Sequence, residues 1–367
     1  MKIALDVSSA ARPDATGVAM YIRRLVPALL RQGPQHGFTA VTRASRIKNI
    51  LHKAPVEGPN LQHKLMLEGL HPIFARSTDI FHGLDARLPG RWMKAKTVVT
   101  IHDVFSALQS TEFATPEFRA MKRKRYESLI ERADRIICVS HACKRDVLET
   151  LKPDPAKLRV VYEAGGEGFA PRSAEEVNAA RAKYGLEKPY ILFVGSINKR
   201  KNVPAQVEAF CKAKRETKAD VVLAVAGRMG YGAEQIQETL KRMDCADAVK
   251  MLGYVPNPDL APLYSGARAL LFCTLYEGFG IPAVEAFMCG CPVIGATVGS
   301  LPEIVADAGV LADPKDVDSI AQAIGKMMTD DALRNGCAAK GTERAKLFSW
   351  DTAAQECLAI YQELINR

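Results

Sequence analysis

Apolar runs of strand length alternate with amphipathic stretches of helix length along the whole chain. This is the pattern of parallel sheets covered by helices. In the first half the strand-like runs are KIALDV, FTAVT, DIFHGL, TVVTIHD, RIICVS and LRVVYEA, separated by helix-like segments such as GVAMYIRRLVPALLRQG. The second half repeats the alternation. There YILFVGS, DVVLAVAG, VKMLGYV, ARALLFCTL, CPVIGA and GVLAD are expected to be strands, with helices beginning near Val203, Ala233, Pro258, Pro282, Leu301 and Val317. Between the halves, GGEGFAPRSAEEVNAARAKYGLEKP (Gly165 to Pro189) holds glycines, prolines and a polar helix but no strand, as a linker does.

A chain of 367 residues exceeds the roughly 250–300 residues at which one core stops growing. Two α/β domains are therefore expected, at 1–170 and 188–346, with a last helical segment at 347–367. Units of this kind bind ligands at the carboxyl ends of their strands, so two facing domains place a ligand in the cleft between them.

Composition narrows the class. With 48% hydrophobic and 25% charged residues, the chain reads as globular rather than disordered or fibrous. No apolar run reaches the ~18 residues of a spanning helix. KIALDV follows Met1 at once, without a basic head and long apolar core, so a cytoplasmic location is expected. The nine cysteines are odd in number and scattered, several within apolar runs, which suits reduced, buried thiols. Cys289 and Cys291 lack a second Cys/His pair at metal-ligand spacing, so zinc is not expected.

Charge is uneven. The first 176 residues hold 28 Lys+Arg against 19 Asp+Glu, and the remainder holds 22 of each. A basic half beside a neutral half points to an anionic partner for the first domain. Within it, Lys122, Arg123, Lys124 and Arg125 form a run on a helix-like stretch. It reads either as a solvated face or as a contact for anionic headgroups, a lipid diphosphate or another anionic acceptor. Nucleic acid is not expected, since no recognised module appears.

The richest chemistry lies in YEGFGIPAVEAFMCGCPVIG (Tyr276 to Gly295), where Glu277 and Glu285 stand eight positions apart across a strand-to-helix turn. Gly278 and Gly280 allow close backbone approach, and the helix start after Ile281 adds partial positive charge that favours a phosphate. Two carboxylates repel a phosphate but accept hydrogen bonds from hydroxyls, so the pairing suggests a sugar and a ribose beside a diphosphate. The plainer reading gives Glu285 to the helix dipole and leaves Glu277 solvated. Arg200 and Lys201 follow the strand YILFVG in NKRKN, either a solvated turn or a grip on the diphosphate. His102, at the end of KTVVTI, is a structural histidine or a ligand-facing one, and Gly17 an ordinary pre-helix glycine or a point of close approach.

The E-x7-E spacing, with GCPVIG, GSLPEIV and AGVLADP after it, resembles the signature of the retaining glycosyltransferases of family 4, which have the GT-B fold. FVGSINKRKN, LGYVPNPDLAPLYSGAR, FSWDTAAQECLAIYQ, TGVAMYIRRL, TIHDV and CVSHACKRDV agree. The resemblance covers nearly the whole chain and leans towards bacterial mannosyltransferase-like members. It implies two Rossmann-like domains, a cleft between them, and a terminal helix returning to the first. Glu285 is expected on the ribose hydroxyls, Glu277 with Gly278, Phe279, Gly280 and Ile281 on the donor sugar and diphosphate, and Arg200 and Lys201 on the diphosphate. Gly17, Gly195, Ser196, Tyr254 and Val255 complete the expected donor site, and His102 with Glu277 the catalytic pair. Many relatives carry Arg where Ser196 follows Gly195, so that contact differs here.

The expected activity is transfer of a sugar, mannose favoured, from GDP-mannose or a UDP-sugar to a hydroxyl of a lipid-linked or polysaccharide acceptor in cell-surface glycan synthesis. The implied mechanism uses no protein nucleophile, since the leaving phosphate helps deprotonate the acceptor. No cofactor or essential metal is expected, because Asp-x-Asp in KDVDS opens a helix and reads as a cap. Association with the cytoplasmic face of the inner membrane stays open. Rival readings are a GT-B epimerase or phosphorylase, and a non-catalytic basic module binding nucleic acid or membrane. A dinucleotide dehydrogenase lacks its G-x-G-x-x-G after an early strand.

Overall fold

The structure, a computed structural model, describes residues 1–11, 17–46, 55–67, 77–89, 94–108, 115–228, 230 and 233–366. It divides into two compact units, Met1–Ala164 with Ser349–Arg367, and Gly165–Phe348.

The first unit is built on β1 (Lys2–Asp6), β2 (Gly37–Arg43), β3 (Leu61–Met66), β4 (Ile80–Gly83), β5 (Lys96–Ile101), β6 (Arg135–Cys138) and β7 (Leu158–Val160). They form a parallel sheet in the order β3-β2-β1-β4-β5-β6-β7. β1, β4 and β6 are almost wholly buried, which is why they read as continuous apolar runs. β3 escaped the sequence reading because LQHKLM has no apolar alternation. It lies at the sheet edge, paired to β2 from Phe38↔Leu61 to Arg43↔Met66, with four exposed residues.

The helix Trp350–Ile365 belongs to this unit and packs on the helix Gly17–Gln32. Ser349 caps its start, accepting from the Asp351 and Thr352 amides. Ala353, Cys357, Ile360, Tyr361 and Leu364 are buried at helical spacing. Its polar contacts are specific: Arg31 pairs with Asp351 at 2.9 Å, the Tyr361 hydroxyl meets His82 Nδ1 at 2.5 Å, and Glu363 takes Arg135 at 2.7 Å and Arg159 at 3.0 Å.

The second unit carries β8 (Tyr190–Val194), β9 (Val222–Ala226), β10 (Val249–Gly253), β11 (Leu270–Phe272), β12 (Val293–Ala296) and β13 (Gly309–Ala312). Their order is β10-β9-β8-β11-β12-β13, again parallel. Helices begin at Val203, Ala233, Asn257, Ile281, Leu301 and Val317.

The stretch expected as a linker, 165–189, lies wholly in this unit. Its helix Ala174–Lys183, closed by a Ser173–Glu176 capping box, packs on Asn257–Gly266. Gly165 and Gly166 serve close approach rather than flexibility. A Cβ on Gly165 would stand 2.4 Å from Met288 Sδ, and one on Gly166 2.7 Å from Phe169. The first unit thus stops at Ala164 rather than at 170.

All nine cysteines are buried and unbridged. Among the described residues no helix is long and apolar enough to cross a membrane. Asp316 caps the helix Val317–Thr329 by accepting the Asp318 amide at 2.8 Å, and Asp318 pairs with Lys212, so both acids of KDVDS have structural partners.

Candidate active site

In each sheet the strand order reverses beside one central strand, at β1/β4 and at β8/β11. Open parallel sheets bind ligands outside the carboxyl ends of strands at such a reversal. The segments leaving β8 and β11 carry Arg200, Lys201 and Glu277.

Glu277 is buried, and its Oε1 lies 2.8 Å from Lys201 Nζ and 3.1 Å from an Arg200 guanidinium nitrogen. Burial pushes the Glu277 carboxyl up, but Lys201 and then Arg200 outweigh it and hold its pKa below the ordinary glutamate value. Burial lowers the Lys201 pKa, with Glu277 opposing. The cluster sets two basic side chains against one carboxylate. The start of the helix Ile281–Met288 adds further positive character.

Short-range chemistry fixes this cluster. Asn198 Oδ1 accepts the Lys201 amide at 3.1 Å, closing the Lys199–Lys201 turn. That turn is tied to the acid-bearing segment by Leu275 N to Arg200 O at 2.9 Å and by the Arg200 side chain to Tyr276 O at 2.8 Å. Lys201 Nζ stands 4.4 Å from the Phe272 ring centroid, a cation–π contact. Gly195, at φ 149°, leaves room for the Lys201 chain, whose Cε would meet an added Cβ at 3.5 Å.

The loop after Glu277 is held from behind. Ser300 donates its amide to Glu277 O at 3.1 Å and its hydroxyl to Phe279 O at 2.5 Å. Gly299, at φ 64°, lies so close that a Cβ there would stand 2.8 Å from Glu277 O. Gly280 opens the helix at φ 106°, a conformation that costs other residues about 1–2 kcal/mol. In the sequence these supports show only as the GSLPE motif, which does not reveal their role.

Glu285 is buried in the middle of the helix Ile281–Met288. Its Oε1 would lie 3.2 Å from a Cβ on Gly166, a tight approach of that backbone to the carboxylate. The Tyr264 hydroxyl is buried nearby; burial first, then the Glu285 carboxylate, raises the Tyr264 pKa well above that of a free phenol.

His102, in the first unit, follows β5. Its Nδ1 lies 2.8 Å from Glu163 Oε1 and its Nε2 2.9 Å from Leu84 O. Both partners can accept from the ring, and this arrangement favours the imidazolium form. Burial opposes that charge, but Glu163 outweighs it and raises the pKa above the usual histidine value. Tyr21 meets the ring edge-on at 4.6 Å. A histidine so engaged is poorly suited to be a general base.

Comparison with known proteins adds the family. Residues 15–164 match the model of glycosyltransferase family 4, and residues 176–344 that of glycosyl transferases group 1. O-antigen chain mannosyltransferase B of Escherichia coli is 33% identical over 291 residues, covering 78% of this chain and 74% of that protein. The chain belongs to glycosyltransferase family 4. The serotype-specific mannosyltransferase WbdA of Escherichia coli is 26% identical over 98% of this chain, which spans 43% of that longer protein. Sucrose-phosphate synthase from Thermosynechococcus elongatus shares the fold with a TM-score of 0.78 at 22% identity, over 100% of this chain and 99% of that one. HepE of Anabaena, solved in complex with UDP, gives 0.78 at 15% identity over 99% of both chains. The fold is GT-B.

The remaining expected residues of this glycosyltransferase divide into exposed and buried. Ser196 is exposed and accepts from Asn198 Nδ2 at 3.2 Å. Tyr254 is 57% exposed, with the Arg228 guanidinium 4.7 Å from its ring centroid. Val255 is buried. Phe279 is also buried and turns its ring against Phe348 at 5.7 Å, so its backbone rather than its ring is placed in the loop. Gly17 starts a helix and is exposed, with open space where a Cβ would lie; residues 12–16 before it lie outside the described residues.

The basic run does not form one patch, because successive helical residues point about 100° apart. Lys122 lies 5.3 Å from the Phe118 ring centroid, and Arg123 binds Glu127 at 3.0 Å and Thr150 O at 3.0 Å. Lys124 is exposed. Arg125 reaches Ala86 O at 3.3 Å.

Proposed function

We propose that this glycosyltransferase moves mannose from GDP-mannose to a hydroxyl of an anionic, lipid-linked or polysaccharide acceptor in cell-surface glycan synthesis, with retention of anomeric configuration. The observation that carries the donor assignment is the buried Glu277 carboxylate holding Lys201 at 2.8 Å and Arg200 at 3.1 Å at the β8/β11 reversal. Mannose is favoured by the likeness to mannosyltransferase B.

As the bond from the anomeric carbon to the diphosphate oxygen breaks, negative charge grows on the leaving phosphate. Lys201 and Arg200, already oriented by Glu277, stabilise it more in the transition state than in the ground state. The acceptor oxygen bonds to the anomeric carbon on the same face, and its proton passes to the leaving diphosphate. Glu277 here orients cations as well as facing the sugar. Glu285 accepts the ribose hydroxyls, and the loop Gly278–Ile281 presents its backbone to the diphosphate. His102, held by Glu163 and Leu84 O, is the second catalytic residue of this reading. No metal is assigned a role, and peripheral membrane association through the basic first half is part of the same reading.

The test is turnover of GDP-mannose, UDP-glucose and ADP-glucose with and without EDTA, followed by NMR of the product linkage. GDP-mannose should be preferred, activity should survive EDTA, and configuration should be kept. Turnover of only a UDP- or ADP-sugar rejects the donor. An inverted linkage rejects the mechanism, and magnesium-reversible loss in EDTA rejects the cation-only account of the leaving group.

A further inference from the structure

The first unit contains a cavity of about 350 Å³ that the donor reading does not use. Four arginines line it: Arg43 from the end of β2, Arg87 from the segment after β4, and Arg125 and Arg132 from the helix Pro116–Arg132. Ser128 adds a hydroxyl, and no described lining residue is acidic. We propose that this cavity is a phosphate-binding subsite that holds a phosphoryl group of the acceptor. The proposal rests on the transferase reading for the word acceptor, while the subsite stands on its own geometry.

Guanidiniums repel one another unless anions separate them, and this set is held together by fixed anchors. Arg43 is clamped by Asp6 at 3.0 and 3.1 Å, Arg125 donates to Ala86 O at 3.3 Å, and Arg132 donates to Pro89 O. Arg87 is the least satisfied. Its Nε is buried without a hydrogen-bond partner among the described residues, and the Asp85 carboxylate stands off at 3.9 Å while also accepting from the Ser9 hydroxyl. Burial, with Arg125 and Arg43 adding to it against Asp85 and Asp6, keeps the Arg87 pKa below the ordinary guanidinium value.

The charges name the ligand class. Four guanidiniums against the Asp6 and Asp85 carboxylates leave an excess of two positive charges. A phosphate monoester carries about −1.5 to −2 charges at pH 7 and three acceptor oxygens. Guanidinium forks match those oxygens in pairs, whereas lysine offers only a point charge. Of the run Lys122 to Arg125, only Arg125 faces this cavity, so the contribution of that run to acceptor binding narrows to one residue.

The test titrates inorganic phosphate into the full chain by calorimetry with the donor site filled by saturating GDP. The wild-type chain should bind phosphate saturably, sulfate should compete, and Arg87→Gln with Arg125→Gln should weaken binding at least tenfold while GDP affinity stays within twofold. Arg125→Gln alone, at an exposed helix position, should weaken it severalfold and guards against misfolding of the double variant. A second arm measures cosedimentation with phosphatidylcholine vesicles with and without phosphatidic acid. Capture only by the doped vesicles, lost in the double variant, assigns the phosphoryl group to a lipid. Phosphate binding without vesicle capture assigns it to a soluble glycan phosphate. No saturable phosphate binding, binding insensitive to both substitutions, or vesicle capture that survives them overturns the subsite. GDP-mannose transfer without phosphate binding removes the subsite alone. Phosphate binding in a chain that never turns over GDP-mannose removes the transferase reading alone.

Discussion

Both sheets place buried acids against cations at or after the carboxyl ends of their strands, but they assemble them differently. In the second unit Arg200 and Lys201 are adjacent in one turn, and Glu277 stands in a single loop after β11. In the first unit the cations come from separate elements: Asp6 holds Arg43, His102 pairs with Glu163, and Arg43, Arg87, Arg125 and Arg132 reach one cavity from β2, the segment after β4 and the helix Pro116–Arg132. The first arrangement depends on two short segments meeting at a strand reversal. The second depends on the whole sheet and its covering helix being in place, so its chemistry is a product of the tertiary fold.

The sharpest way to break this contrast is to remove the cation from the local cluster. Lys201→Ala should lower kcat at saturating donor by roughly 10²–10³-fold if Lys201 acts as a preorganised charge stabiliser. Lys201→Arg should recover part, since charge survives while donor shape changes. Stability should also fall. Breaking a buried pair costs roughly 3–5 kcal/mol, but Arg200 still faces Glu277 at 3.1 Å, which keeps the loss near the lower end. A folded alanine variant with wild-type kcat would show that Lys201 only neutralises Glu277.

The same contrast explains what could be read in advance. The six strands of the second unit and its helix starts followed from apolar runs bounded by glycine and proline, because buried parallel strands write continuous hydrophobic segments. Glu277 stands out within its E-x7-E motif and Arg200 with Lys201 within NKRKN, although the approach of Lys201 to Glu277 leaves no signal in the sequence. β3 was not, since an edge strand can be polar. Gly165 and Gly166 read as linker glycines in the sequence because close approach and flexibility have the same signature. Glu163 ends a strand-like run and so has a weak signal, but its pairing with His102, 61 positions away, has none. Arg87 and Arg132 belong to no sequence motif, and the fold brings them to one cavity.

Smaller effects sharpen the local side. Glu285→Ala should weaken GDP binding by about tenfold, as expected for losing one or two hydroxyl hydrogen bonds worth about 0.5–1.5 kcal/mol each. Calorimetry on a folded variant checks it, and unchanged affinity removes Glu285 from the ribose. Gly280→Ala should destabilise by about 1–2 kcal/mol from its left-handed backbone alone. Leu301 must also give way, because its Cδ2 lies 3.0 Å from the new Cβ. Chemical denaturation should show that loss, and a variant as stable as wild type would mean that the loop relaxes to another conformation.

The smallest expected effect tests the non-local side through pH. The His102 pKa is raised from 6.5 in the folded chain because Glu163 outweighs burial. A group with a raised folded value binds its proton more tightly when folded, so its contribution to stability is fully present below the unfolded pKa. It is lost as pH rises through the folded pKa. Glu163→Gln removes the carboxylate and leaves burial to disfavour the imidazolium. The stability difference between wild type and Glu163→Gln should therefore be largest near pH 5 to 6, and shrink as pH rises past the raised histidine value. Thermal unfolding of both full chains in steps between pH 5 and 9 measures it. His102→Gln should abolish the pH dependence of that difference, because no titrating partner remains for position 163. A difference that is flat, or grows with pH, would mean that the ring is neutral when folded.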